Sequence, residues 1–275
     1  MNKTATILIL IFLALTACRQ KDTCPCPLAV ADTTIVEEVK EDEAILYDNK
    51  ITDNQIVENE FGFVNLTDVV PDAILEIRYF GTYNFVGCRI DGYEEPVALL
   101  TRRAAEALLE VSDEVEAMGY RLLIYDAYRP KRAVRHFGRW ANDRGDTLMK
   151  SYFYPNMDKS MLYVQGYLSS HSRHSRGSTV DLTLFDMATG KELDMGGTFD
   201  WFGVESHPDF CGNPETGEYK PSKKRRAITE QQFRNRMILR EAMLRHGFKP
   251  LDSEWWHFTL RNEPFPDTYF NFPVQ

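Results

Sequence analysis

Two short segments constrain this fold more than anything else in the chain: S-R-H-S-R-G-S-T-V-D at residues 172–181 and E-W-W-H at residues 254–257. The first offers an imidazole and a carboxylate seven residues apart, the second a carboxylate and an imidazole three apart. They gain meaning only in a fold that brings them together. Two His and one Asp can hold a zinc ion and leave a fourth position for water, with a spare Glu beside it. His174 and Asp181 bracket Gly177, which allows the chain to turn and return both side chains to one point. Glu254 and His257 would fall on opposite faces of an ideal strand. They converge if Glu254 lies in a turn before the strand, a placement that Asp252 and Ser253 favour.

His171 competes with His174, because S-H-S-R-H-S-R gives both the same neighbours. The spacing from Gly177 and Asp181 favours His174 and leaves His171 a flanking role. His136 and His207 have no partner identifiable from sequence. His246, next to Gly247 at a helix end, is explained by the helix dipole.

The 275 residues leave ample room for a core. The net charge of −9 is uneven: residues 19–58 hold ten acidic and four basic side chains, and the body after them is nearly balanced. No basic block points to nucleic acid, so the acidity belongs to a tether. Lys3 precedes an apolar run at residues 7–15, followed by Leu15, Thr16, Ala17 and Cys18. That is a secretory signal, too short to span a membrane comfortably. Its end resembles a bacterial lipobox, with Cys18 as the lipidated mature N-terminus. The expected organisation is a signal peptide at 1–17, an acidic flexible linker at 18–58 and a catalytic domain at 59–275. Cys24 and Cys26 sit in the linker too close together for a zinc knuckle. Cys88 and Cys211 either pair in an oxidising envelope or remain separate thiols.

Within the body, residues 73–80 alternate as a strand would. Thr101 can cap a helix with apolar positions Ala104, Ala107, Leu108, Val111, Val115 and Met118, ended by Gly119. A short buried strand at 122–125 leads to Asp126 and Arg129, and Pro130 starts a helix carrying Val134, Phe137 and Ala141. Residues 179–184 form a strand bearing Asp181. Thr229 and Gln232 make a capping box for a helix ending before Gly247, and residues 255–260 form the last strand. Strands and helices intersperse without a βαβ cadence, which predicts an α+β fold with a mostly antiparallel sheet.

S-x-H-x-x-G-x-x-x-D followed far downstream by E-x-W-H resembles the VanX-type D-Ala-D-Ala dipeptidases, a zinc metallopeptidase family. The likeness extends over most of the body. It includes Tyr79 with Asn84 and Phe85, then Asp91, Gly92 and Tyr93, the Y-D-A-Y-R-P run at 125–130, and Phe199 with Asp200. The resemblance implies a Hedgehog/D,D-peptidase-like fold flanked by helices. It makes His174, Asp181 and His257 the ligands of one zinc ion and Glu254 the base that moves a proton to the leaving amine. Arg129 would stabilise the oxyanion, and Asp126 would orient Arg129 or the site around it. Asp200 would take the substrate's ammonium, while Tyr79, Ser172 and Arg173 would line the pocket. Arg173 stands where well-known members carry Ser, and Thr179 where the family often has Ala.

The expected activity is hydrolysis of D-Ala-D-Ala, or a close dipeptide with a free N-terminus, by an enzyme lipid-anchored on the periplasmic face of a bacterial envelope. The expected partner is the small substrate alone, with no nucleic acid, no protein partner and membrane contact only through the lipid. Two other readings compete: a D,D-carboxypeptidase or endopeptidase trimming peptidoglycan stems, and a zinc-stabilised wall-binding module without turnover.

Overall fold

The computed structural model describes residues 56–221 and 227–275. The signal segment, Cys18, Cys24, Cys26 and nearly all of the acidic linker lie outside the described residues. Strand β1 (Phe63–Asn65) runs into the one-turn helix α1 (Leu66–Val69), where the Asn65 side chain accepts from the Thr67 amide. Then follow β2 (Ile74–Leu75), β3 (Leu99–Thr101), α2 (Arg102–Glu116), β4 (Tyr120–Asp126) and α3 (Lys131–Asn142). The single turn α4 (Lys150–Phe153) precedes β5 (Thr179–Asp186), which folds back through β6 (Lys191–Glu192). The small hairpin of β7 (Gly212–Asn213) and β8 (Glu218–Tyr219) leads to α5 (Glu230–Arg245), β9 (Phe248–Leu251) and β10 (Glu254–Leu260).

The main sheet has the order β2-β4-β5-β10-β9, with β6 beside β5. Only β2 and β4 pair in parallel; the other pairings of this sheet are antiparallel. The expected mixed class with a mostly antiparallel sheet describes this arrangement. Side chains alternate between faces along β5, so fully buried Val180, Leu182 and Leu184 point one way and Thr179, Asp181 and Thr183 the other. Helices α2 and α5 pack against each other and cover β4, β9 and β10. Burying each large aliphatic side chain in that layer contributes about 1.5–3 kcal/mol. The polar face of β5 is left to the site.

The α5 cap forms as expected: the Gln232 amide donates to the Thr229 hydroxyl, and the Thr229 amide donates to Gln232 Oε1. Two expectations need correction. Only Ile74 and Leu75 of residues 73–80 form a strand; the Glu76 and Arg78 amides still donate to the Ile124 and Tyr125 carbonyls of β4, and a turn follows at residues 78–80. Thr101 stands at the α2 N-cap, but its hydroxyl bonds Ser178 Oγ at 2.8 Å instead of capping. Cys88 and Cys211 are not bridged: Cys211 lies in a small apolar cluster with Phe233 and Met237, whereas Cys88 sits 4.0 Å from His136. Three further histidines have partners, His136 with Asp91 at 3.0 Å, His207 with Tyr167 at 3.5 Å and His246 with Glu114 at 2.8 Å. For His246 a hydrogen bond across to α2 adds to the helix dipole.

Candidate active site

Backbone register assembles the centre. His257 on β10 pairs directly opposite Asp181 on β5, and Asp181 in turn lies opposite Asp126 at the end of β4. Three polar side chains thus form a row across the middle of the sheet. Both flanking ladders are irregular here. A register shift between Ile124 and Asp126 turns Asp126 into line, and another between Glu254 and Phe258 lets Glu254 and His257 converge. Glu254 is the first residue of β10, so a bulge, not the expected turn placement, brings it to the site.

His174 arrives from the other end of the glycine loop. It sits in the short 3₁₀ turn Arg173–Arg176, which Gly177 ends with φ of +79°. A Cβ at Gly177 would lie 2.0 Å from the Phe63 ring, so no other residue fits without displacing that core side chain. The turn is fastened to the strand end. Ser175 Oγ donates to the Arg129 carbonyl at 2.7 Å, and His174 Nδ1 donates to the Ala127 carbonyl at 2.7 Å. A carbonyl can only accept, which fixes the proton on Nδ1 and aims the Nε2 lone pair inward.

Inward, His174 Nε2 lies 3.2 Å from His257 Nδ1 and 3.2 Å from Asp181 Oδ2, while His257 Nδ1 lies 3.0 Å from Asp181 Oδ1. These three residues are buried, and their ligand atoms all lie within 4.8 Å of one another. Lone pairs of two imidazoles and a carboxylate turned on one point repel unless a cation sits among them. Two nitrogens and one carboxylate oxygen form a donor set that suits zinc and leaves a coordination position open.

Behind the three lies a second ring of polar contacts. Asp126, fully buried, accepts from Tyr93 Oη at 2.6 Å and from Arg129 Nε at 2.9 Å. Arg129 Nη2 also reaches Asp181 Oδ2 at 3.3 Å, and its guanidinium stacks 4.9 Å above the Tyr79 ring. Burial opposes the charge on Arg129, yet Tyr79, Asp126, Tyr93 and Asp181 together keep it ionised. Glu254 Oε2 stands 3.5 Å from His257 Nδ1. Burial pushes the Glu254 carboxyl up to about 8.

A cavity of about 310 Å³ opens onto this centre. His174, Asp181, His257, Glu254, Arg129, Asp200, Tyr79, Ser172 and Arg173 all line it, so nearly every residue singled out in the sequence converges there. His171 is on the rim, exposed and bonded to Ser170. Asp126 is the exception among them: it does not reach the cavity and acts on it through Arg129 and, at 3.5 Å, His174 Nδ1. Asp200 lies buried in the cavity lining, held by a 2.9 Å hydrogen bond from Tyr79 Oη. Its backbone is left-handed, with φ of +60°. Burial first, then the Asp181 charge, pushes its carboxyl up to about 8. Sequence reasoning gave no role to the apolar wall of Phe85, Val134, Phe137 and Phe202, nor to residues 166–169. The helical stripe of Val134 and Phe137 was visible, but its facing partner was not.

A family profile described as D-ala-D-ala dipeptidase matches residues 59–275. The chain is 40% identical over 215 residues to the D-alanyl-D-alanine dipeptidase of Enterococcus faecalis, an alignment covering 78% of this chain and 99% of that one. With the D-alanyl-D-alanine dipeptidase of Enterococcus faecium it shares 38% over 216 residues, 78% of this chain and 100% of the relative. With that of Streptomyces coelicolor it shares 36% over 215 residues, 78% and 98% of the two chains.

Proposed function

The chain belongs to the D-Ala-D-Ala dipeptidase family, and from that premise we propose a zinc-dependent mechanism in which it hydrolyses D-alanyl-D-alanine to free alanine in cell-wall peptide metabolism. The observation that carries this reading is the convergence of His174 Nε2, His257 Nδ1 and the Asp181 carboxylate at 3.0–3.2 Å on the floor of a small cavity. These three residues would hold one zinc ion, which when bound supplies a Lewis acid that lowers the pKa of water and polarises a carbonyl.

The protein's own groups account for the remaining work. Glu254, with its carboxyl pushed up to about 8, takes a proton from the attacking water and returns it to the leaving amine. Arg129 lies pre-oriented by Asp126 and stabilises the oxyanion without reorganising. Asp200, with Tyr79 beside it, receives the substrate's ammonium. Ser172 and Arg173 also line the cavity, and Arg173 meets the substrate carboxylate. We assign the fold to the Hedgehog/D,D-peptidase type, and the protein to the periplasmic face of a bacterial envelope, anchored through a lipid on Cys18. The short apolar segment ending in Leu-Thr-Ala-Cys supports that anchor.

A stem-trimming carboxypeptidase needs a groove that admits polymer, whereas this cavity is small, about 310 Å³, and carries a buried carboxylate, Asp200, to meet a free ammonium. The test is a comparison of D-Ala-D-Ala, L-Ala-L-Ala and a stem pentapeptide with the zinc-loaded protein. The expected result is cleavage of D-Ala-D-Ala and an intact pentapeptide. Release of D-Ala from the pentapeptide alone would move the assignment to a carboxypeptidase.

A further inference from the structure

Arg236 is an unusual residue to find inside a helix layer. It sits in the middle of α5, is 1% exposed, and its hydrogen bonds all end on backbone carbonyls. Burial pulls its pKa down to about 10, and the guanidinium carbon lies 5.6 Å from the Trp255 ring centre. An arginine buried this completely costs several kcal/mol of desolvation, so its geometry is informative.

Its three bonds join two points well apart in the chain. Nε donates to the Met195 carbonyl at 2.7 Å; Nη1 donates to the Glu205 carbonyl at 2.9 Å and the His207 carbonyl at 3.4 Å. Between those points the chain makes the strap that carries Asp200. Neighbours on α5 fasten only the first end: Asn235 Nδ2 donates to the Asp194 carbonyl at 2.8 Å and Gln232 Nε2 to the Asp194 carboxylate at 2.8 Å. Arg236 alone among them spans both ends. The strap's middle is the part under tension. Asp200 is a non-glycine residue at φ of +60°, a conformation that costs about 1–2 kcal/mol, so it persists only if its surroundings impose it. Phe199 before it is locked against Tyr125 at 4.7 Å and Trp256 at 5.4 Å.

We infer that Arg236 is a positioning residue for substrate recognition: a single guanidinium clamps both feet of the strap and so holds the Asp200 carboxylate in the cavity lining, where it selects a dipeptide with a free ammonium. This rests on the ammonium role given to Asp200 above. A planar fork with fixed donors can bridge two carbonyl groups in this way, and a lysine ammonium on a flexible stem cannot replace it.

The test compares R236K, D200N and the double variant, zinc-loaded and full-length, on D-Ala-D-Ala and on its N-acetyl derivative, which lacks the ammonium. For R236K the KM for the free dipeptide rises about tenfold, the effect of one or two lost hydrogen bonds, while kcat stays within about twofold. Cleavage of the acetylated substrate is unchanged, so discrimination between the two narrows. The double variant is no worse than D200N. Amide hydrogen exchange over residues 194–207 becomes faster while zinc content stays at one per chain. An equal loss on both substrates, or losses that add in the double variant, would make Arg236 merely structural and overturn the inference. If D200N leaves discrimination intact, the ammonium role of Asp200 fails and the clamp's purpose fails with it. Lost discrimination in D200N but not in R236K defeats the clamp alone. Should R236K not accumulate folded, R236Q is read in the same way.

Discussion

At the scale of single residues, the site separates groups that hold from groups that react. His174 and Asp181 are tied by bonds to the Ala127 carbonyl and to Arg129, and Asp126 has both oxygens engaged. Glu254 is different. Its oxygen Oε2 stands 3.5 Å from His257 Nδ1, beyond a firm hydrogen bond, so its carboxylate can carry a proton. Substituting Glu254 by Gln keeps size and removes the base. The expected outcome is a fall in kcat of about 10²–10⁴, with KM and zinc content little changed, checked by steady-state kinetics and metal analysis. Much of this was legible in the chain: Gly177 and Asp181 at fixed offsets single out His174 over His171, and E-W-W-H supplies the rest. The Tyr93–Asp126–Arg129 relay was only half legible, because a hydrogen bond across 33 residues leaves no local mark on Tyr93.

At the scale of elements, the register between β5 and β10 is decisive. A slip of one residue would send His257 to the helix-covered face and Phe258 to the site, since side chains alternate along a strand. Gly177 guards the approach to β5. Replacing it with Ala imposes a left-handed alanine and drives a Cβ into Phe63. Expected destabilisation is about 2–5 kcal/mol from backbone strain and overpacking combined, read by urea unfolding, with weaker zinc binding because the His174 turn shifts. Helix α5 and strands β4, β5 and β10 were readable from periodicity and the capping box. The bulges beside Asp126 and Glu254 were not, because an extra residue in one strand is specified by its partner's register. Thr101 likewise reads as a cap until Ser178 takes its hydroxyl.

For the whole molecule, one sheet divides two tasks. Helices α2 and α5 bury its apolar face and supply stability, while the row Asp126, Asp181 and His257 on the other face supplies chemistry. α5 also reaches across through Arg236 to the strap bearing Asp200. The family likeness covers residues 59–275, the segment that follows the acidic residues 19–58. We propose that this body hydrolyses D-Ala-D-Ala through one zinc held by His174, Asp181 and His257. Alanine release from D-Ala-D-Ala by chelator-stripped protein titrated with zinc tests this most directly. The stripped protein is expected to be inert, with activity that returns linearly and saturates at one equivalent. Full activity without metal, or none after reloading, would contradict it.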